Sequence, residues 1–152
     1  MKHVDIWTDG ACRGNPGLGG YGIVIKYVNK QNDEVRLELK QAFYSTTNNR
    51  MELLAAIVAL EKLKEPCEVT LKSDSKYLVN AFNENWIETW VKKDFRRGTT
   101  QEVKNIDLWE RLLKLVKIHS VKFIWVKGHS LDIENERCDE LANMAMDSLL
   151  KK

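Results

Sequence analysis

Thr46-Thr47-Asn48-Asn49-Arg50-Met51-Glu52-Leu53-Leu54-Ala55-Ala56-Ile57-Val58-Ala59-Leu60 is the stretch on which the fold turns. Thr47, Asn48 or Asn49 can cap the free N–H groups of a helix here, and Asn49 and Glu52 stand at capping-box spacing. Met51, Leu54, Ala55 and Val58 form one apolar stripe; Leu53, Ala56, Ile57 and Leu60 form another. A helix without a polar face belongs in the middle of a domain, covered on several sides. Glu52 is the exception in its first turn. It is either a cap favoured by the helix dipole or a carboxylate held against a cation, because burying it ionised and unpartnered is costly.

Working outward, three β patterns precede this helix. His3 to Thr8 alternates and ends at Asp9-Gly10. After the glycine-rich turn Gly14-Asn15-Pro16-Gly17-Leu18-Gly19-Gly20 comes Tyr21 to Val28, and Val35 to Tyr44 alternates again. Short turns between them predict an antiparallel meander. Beyond the helix, Pro66 precedes a strand over Glu68–Lys72, which runs into Ser73-Asp74-Ser75; Ser75 or Asp74 can cap a helix over Lys76–Asn83. A Trp- and Lys-rich segment follows, then an amphipathic helix over Asp107–His119, a strand over Val121–Val126, a loop, and a last helix over Glu134–Leu150. A meander followed by alternating helices and strands predicts an α/β fold with a mixed sheet, the later strands parallel to the first.

The bulk numbers set limits on this reading. The chain has 152 residues, 43% of them hydrophobic, and a net charge of +2, which by itself implies no partner. A single domain of this size buries a sizeable core. Cys12, Cys67 and Cys138 are odd in number and widely spaced, which argues for free thiols in a reducing compartment and against a zinc site. Asp5 falls where the apolar stretch of a signal peptide would begin, and the longest apolar run is far too short for a bilayer. The expectation is a cytoplasmic protein with no membrane association.

In mixed sheets, sites gather beyond the carboxyl ends of the parallel strands. Asp9 and Asp74 end two such strands. Glu52 opens the central helix at the same edge, and Asp139 joins them if the last helix packs on that side. Each like pair at close range costs a few kcal/mol at an effective dielectric of about 20, so four converging carboxylates call for divalent cations. Their oxygens suit Mg²⁺ or Mn²⁺ rather than zinc. Gly17-x-Gly19-x-x-Gly22 matches the dinucleotide fingerprint in letters only, since it opens no helix. Between Trp86 and Lys104, Trp86 and Trp90 share a helical face while Lys92, Lys93, Arg96 and Arg97 surround Phe95. That mixture suits a nucleic-acid backbone; it also fits an amphipathic helix with Trp on the core and Lys in solvent. His129, in a loop, is either a surface residue or a proton carrier beside the acids.

Five separated blocks, in order, resemble bacterial-type ribonuclease H of type 1. They are Thr8-Asp9-Gly10-Ala11-Cys12 with Gly14-Asn15-Pro16-Gly17; Thr46-Thr47-Asn48-Asn49-Arg50-Met51-Glu52; Ser73-Asp74-Ser75; Val103-Lys104-Asn105-x-Asp107-Leu108-Trp109; and Trp125-Val126-Lys127-Gly128-His129 with Asn135-Glu136-Arg137-Cys138-Asp139-Glu140-Leu141-Ala142. The resemblance covers essentially the whole chain, 1–152. It implies a ribonuclease H-like five-stranded mixed sheet, three antiparallel strands then two parallel, flanked by helices. It also implies hydrolysis of the RNA strand of RNA–DNA hybrids, leaving 5′-phosphate and 3′-hydroxyl ends.

Asp9, Glu52, Asp74 and Asp139 are then similar to the metal-binding carboxylates for two Mg²⁺ ions, with Mn²⁺ as a substitute, and His129 to the histidine that aids proton transfer or product release. The resemblance places Asn15, Asn48 and Lys76 at RNA-contact positions, with Cys12 and Asn49 added to the substrate-binding set. Thr47 and Asn105 match a pocket for a DNA-strand phosphate. Trp86, Trp90, Lys92, Lys93, Phe95, Arg96 and Arg97 match a basic protrusion that grips the hybrid. Ser45 stands where some relatives carry a basic residue, and Lys76 replaces a common neutral amide. No obligate protein partner is implied, and a monomer is expected. A DNA-strand transferase on the same fold needs added DNA-recognition segments, and a non-enzymatic hybrid-binding module would not need all four acids.

Overall fold

The computed structural model describes residues 1–92, 96–97, 101–102, 104–128 and 132–151, with 96–97 and 101–102 described by backbone alone. In chain order the elements are β1 (Lys2–Arg13), β2 (Gly17–Val28), β3 (Glu34–Thr46), α1 (Asn48–Glu61), β4 (Cys67–Ser73), α2 (Lys76–Asn83), α3 (Trp86–Lys92), the short strands β5 (Arg96–Arg97) and β6 (Gln101–Glu102), α4 (Ile106–Ile118), β7 (Ser120–Trp125) and α5 (Ile133–Leu150). The main sheet has the order β3-β2-β1-β4-β7. β1–β2 and β2–β3 are antiparallel, while β1–β4 and β4–β7 are parallel. This is the five-stranded mixed sheet that the sequence implies.

Alternation along β1 divides the core. Val4 and Ile6 join Ile23, Ile25, Leu71 and the body of α1 in the larger core, where Leu53, Ala56, Ile57 and Leu60 are fully buried. The intervening Trp7 faces the other way and packs with Val24, Cys138 and Leu141 under α5. So α1 and α5 lie on opposite faces of the sheet, because successive strand side chains point to opposite sides. Lys26 and Lys72 lie beside the Trp7 ring, 5.8 and 5.0 Å from its centroid.

Both helices approach the strands closely. A Cβ on Gly10 would stand 2.5 Å from the Glu52 backbone nitrogen, and one on Gly22 would collide with the Cys138 carbonyl. The glycines thus let α1 and α5 press against the sheet from its two sides. The turn expected over residues 14–20 is shorter, occupying 14–16, because β2 already begins at Gly17 and pairs in register with β1 from Leu18 onward. β1 likewise continues past Thr8 to Arg13, because β2 supplies an antiparallel partner there.

Candidate active site

The parallel pairing of β1 with β4 stops at Thr8–Ser73. Asp9 and Asp74 are therefore the first residues past the point where the two strands part, although Asp9 still pairs with Gly22 on its other side. The Ser73-Asp74-Ser75 corner divides its duties. The Ser75 hydroxyl caps α2 by accepting the Leu78 N–H at 3.1 Å, and the Ser73 hydroxyl accepts the Ser75 N–H at 3.0 Å. Capping is thus met by the serines, and the Asp74 carboxylate is left for the cleft.

Glu52 is not part of a capping box. Thr47 is the N-cap of α1, its hydroxyl accepting the Arg50 N–H at 3.3 Å. Glu52 instead accepts the Gly10 N–H across the helix–sheet contact, 2.6 Å from donor to Oε1. That bond aims one carboxylate oxygen and orders the other. Carboxylate oxygens of Asp9, Glu52 and Asp74 lie within 4.8 Å of one another. Asp139 comes from the opposite face of the sheet. The sequence made its arrival conditional on α5 sharing a side with the other acids; instead Asp9 projects at the sheet's end, where both faces meet, and Asp139 lies near enough to raise its pKa.

Burial, and then the charges of Asp74 and Asp139, raise Asp9 from 3.8 to about 9. Burial, Asp9 and Asp74 raise Glu52 in the same way, while the Gly10 N–H pulls it back. Both are almost wholly removed from water, at 6% and 5% exposure. Among the described residues no lysine or arginine forms an ion pair with any of the four acids. An all-carboxylate donor set, two of its members buried and two half-buried, with no ion-paired cation among the described residues, fits a hard divalent ion. The acids open on a cleft of about 550 Å³ that is also lined by Cys12, Asn48, Asn49, Lys76, Tyr77 and Trp125.

The RNase H family model matches residues 1–147 of this sequence. The chain belongs to the RNase H family. It is 54% identical over 145 residues to the ribonuclease H of Lachnoclostridium phytofermentans, spanning 95% of this chain and 92% of that relative. Its structure is similar to that of LC9-RNase H1, a type 1 RNase H with the type 2 active-site motif, at a TM-score of 0.86 and 29% identity, covering 97% of this chain and 74% of the other. LC11-RNase H1 in complex with RNA/DNA hybrid is similar at a TM-score of 0.65 and 29% identity, covering 97% and 99%. The protein is thus an enzyme of the ribonuclease H type, an endonuclease hydrolase, and its carboxylate cluster is consistent with metal dependence.

Around the acids of this RNase H, the side chains expected to hold substrate fall into three groups. Asn15, Cys12, Asn48, Asn49 and Lys76 rim the cleft or tie its rim together. Asn15 Oδ1 accepts the Asn48 N–H at 3.0 Å, joining the β1–β2 turn to the start of α1. The Cys12 thiol donates to the Gly14 carbonyl at 2.6 Å, which makes it a turn fastener as well as a rim residue. Lys76 Nζ stands 5.0 Å from the centre of the Trp125 ring.

Thr47 and Asn105 form a second group. Asn105 sits in the left-handed region at φ 62°, with its side-chain oxygen accepting from Arg50 at 3.2 Å. Arg50 is itself held by both oxygens of Asp107. The third group is α3, where Trp86 and Trp90 do share a face, their ring centroids 6.3 Å apart. Trp86 and Lys92 are exposed, whereas Trp90 is half-buried and meets Trp109 edge-on at 5.1 Å. Lys93, Phe95 and His129 lie outside the described residues, as do the side chains of Arg96 and Arg97.

Two residues of the site carried no assigned role in the sequence. Trp125 donates from its indole to the Asp74 carbonyl at 3.1 Å, pinning the backbone that carries a carboxylate. Tyr77 lines the cleft beside Lys76. Both follow Asp74 in the sheet-edge logic, Trp125 as the last residue of the neighbouring parallel strand and Tyr77 in the first turn of α2.

Proposed function

We propose that this chain hydrolyses the RNA strand of RNA–DNA hybrids, acting as a single-domain monomer and leaving 5′-phosphate and 3′-hydroxyl ends. The observation that carries this reading is the convergence of Asp9, Glu52 and Asp74 within 4.8 Å at a sheet edge rimmed by Asn48, Asn49 and Lys76. LC11-RNase H1, similar over 97% of the chain, is solved with RNA/DNA hybrid. Asp9, Glu52, Asp74 and Asp139 would hold two Mg²⁺ ions. When bound, such a pair supplies Lewis-acid stabilisation to the attacking and leaving oxygens of an in-line displacement, and Mn²⁺ can supply the same.

The chain's own residues do the rest. The Gly10 N–H keeps Glu52 in one orientation, so no side-chain entropy is lost when substrate arrives. Asn15 and Asn48 brace the rim where 2′-hydroxyls are read, which is how a protein tells RNA from DNA. Lys76 adds attraction to the phosphate backbone. Thr47 and Asn105 hold a phosphate of the DNA strand, and the basic segment after Trp86 grips the duplex farther out. His129 holds or moves the proton of the leaving group. A cleavage assay on labelled RNA–DNA hybrid, double-stranded RNA and double-stranded DNA, with Mg²⁺ and with EDTA, tests the reading. Only the RNA of the hybrid should be cut, and only with metal; equal cutting of all three duplexes, or cutting in EDTA, overturns it.

A further inference from the structure

Glu52 is aimed by the Gly10 N–H, and the backbone of Asp74 is pinned by Trp125. Asp139 has a fixture of its own, built from the end of β1 and the middle of α5. Arg13, the last residue of β1, directs one nitrogen, Nη2, at two oxygens: Asp147 Oδ1 at 2.9 Å and Asn143 Oδ1 at 3.0 Å. That nitrogen carries two protons, and an arginine can only donate, so the atom it meets on Asn143 is the side-chain oxygen. The Asn143 amide is thereby oriented, with its nitrogen turned back along the helix. There it donates to the Asp139 carbonyl at 3.0 Å, and Asp139 Oδ1 is within reach of the same nitrogen at 3.5 Å. Residues four apart on a helix are neighbours on its surface, which brings the amide alongside the carboxylate. Among the described residues no other donor reaches that carboxylate.

We propose that Asn143 is a positioning residue for the metal site: its amide, oriented by Arg13, holds one carboxylate oxygen of Asp139 and leaves the other to a divalent cation in the cleft. The inference rests on the metal-binding reading of the four acids above. Asp139 needs such a fixture, because it is half-buried and comes from the opposite face of the sheet, whereas Glu52 is already locked by burial and by Gly10. A half-buried aspartate keeps several rotamers, and a cation that must first select one of them binds more weakly. The Arg13–Asp147 pair, with side chains 38% and 55% exposed, contributes little to stability by itself. The value of Arg13 lies in the direction that it gives to Asn143.

Asn143→Ala separates orientation from packing. Alanine is the better helix former, so the metal-free variant should unfold no earlier than the wild type. Its affinity for Mn²⁺, measured by calorimetry on the full-length protein without substrate, should fall about ten-fold, the lower end of what losing a hydrogen bond to a metal ligand costs. In cleavage of the hybrid the half-saturating Mg²⁺ concentration should rise by a similar factor, with KM for the hybrid at saturating Mg²⁺ unchanged. Arg13→Ala should weaken Mn²⁺ binding on its own and add nothing to Asn143→Ala, as for two residues acting through one contact. Asp147→Asn, which leaves the Arg13–Asn143 bond in place, should bind Mn²⁺ as the wild type does. In an Asp139→Asn background, Asn143→Ala should change nothing. Mn²⁺ binding that is unaltered in Asn143→Ala, or weakened equally by Asp147→Asn, overturns the positioning role. A wild type that binds no Mn²⁺ overturns the metal reading and this role with it. A wild type that binds Mn²⁺ and leaves the hybrid uncut overturns the hybrid reading alone.

Discussion

Asp9→Asn should make the metal-free protein more stable at neutral pH while abolishing its turnover. The wild-type carboxyl is raised from 3.8 to about 9, by burial first and by Asp74 and Asp139 after it. A raised folded-state value means that the native protein keeps a proton which the unfolded chain releases. Stability from this group is complete below about pH 4 and is lost progressively as the pH rises toward 9. At pH 7 the gap to the unfolded value is about 3 units, or roughly 4 kcal/mol as a ceiling. The proton is shared with strongly interacting neighbours, so a net gain of roughly 1–3 kcal/mol is expected for the neutral amide. For a chain of this length that corresponds to a rise of about 3–10 °C in Tm. Thermal unfolding in EDTA at a series of pH values is the assay. The advantage of the Asn variant should grow from pH 5 to pH 8, and excess Mg²⁺ should narrow it by stabilising the wild type alone. A variant no more stable than wild type in EDTA at pH 8, or an advantage that is flat with pH, would refute the electrostatic account of the cluster.

Other outcomes follow from the same geometry. Gly10→Ala places a methyl carbon 2.5 Å from the Glu52 backbone nitrogen, so urea unfolding should show a loss of about 1–3 kcal/mol, and Mg²⁺-dependent cleavage should fall with it. Glu38→Gln breaks the ion pairs of Glu38 with Arg137 of α5 and with Arg36 on its own strand, which hold its carboxyl down at about 2. The wild-type contribution should be present above about pH 4.5 and vanish as acid approaches pH 2, so the two proteins should converge in Tm at low pH and in high salt. Replacing Lys92, Lys93, Arg96 and Arg97 with Ala should raise KM and flatten its dependence on salt, with a smaller effect on kcat; an unchanged salt slope would place the hybrid elsewhere.

Much of this site was legible from residue type and order alone. The apolar body of α1, the sheet-edge acids and the serine–aspartate–serine corner are local patterns, and local patterns survive folding. What could not be read was set by contacts between distant residues. Asn49 and Glu52 have capping-box spacing, yet the Gly10 N–H, far away in sequence, captures the glutamate and leaves capping to Thr47. The glycines at 19, 20 and 22 look like turn material, but their purpose is to admit α1 on one face and α5 on the other. Tyr77 gave no signal because its place beside the cleft is set by hydrogen bonds arriving from Asn105 and Trp109, both far away in sequence.

The placement of the two helices explains why the acids meet at all. A sheet strand cannot send neighbouring side chains to the same face, so β1 alone could serve only one helix at a time. At Thr8 the parallel partner β4 turns away, and Asp9 lies at the open end, where neither face is shielded from the other. Glu52 reaches it from the α1 side and Asp139 from the α5 side. Lys26 and Arg36 both pair with Glu134, and Arg137 pairs with Glu38, so the first turns of α5 are tied to β2 and β3 within a few residues of Asp139. The helix that donates the half-buried Asp139 is thus held by ion pairs as well as by its packing on Trp7 and Val24, whereas the helix that donates the buried Glu52 is held by core packing. Loss of those ion pairs should therefore loosen Asp139 while leaving Glu52 in place.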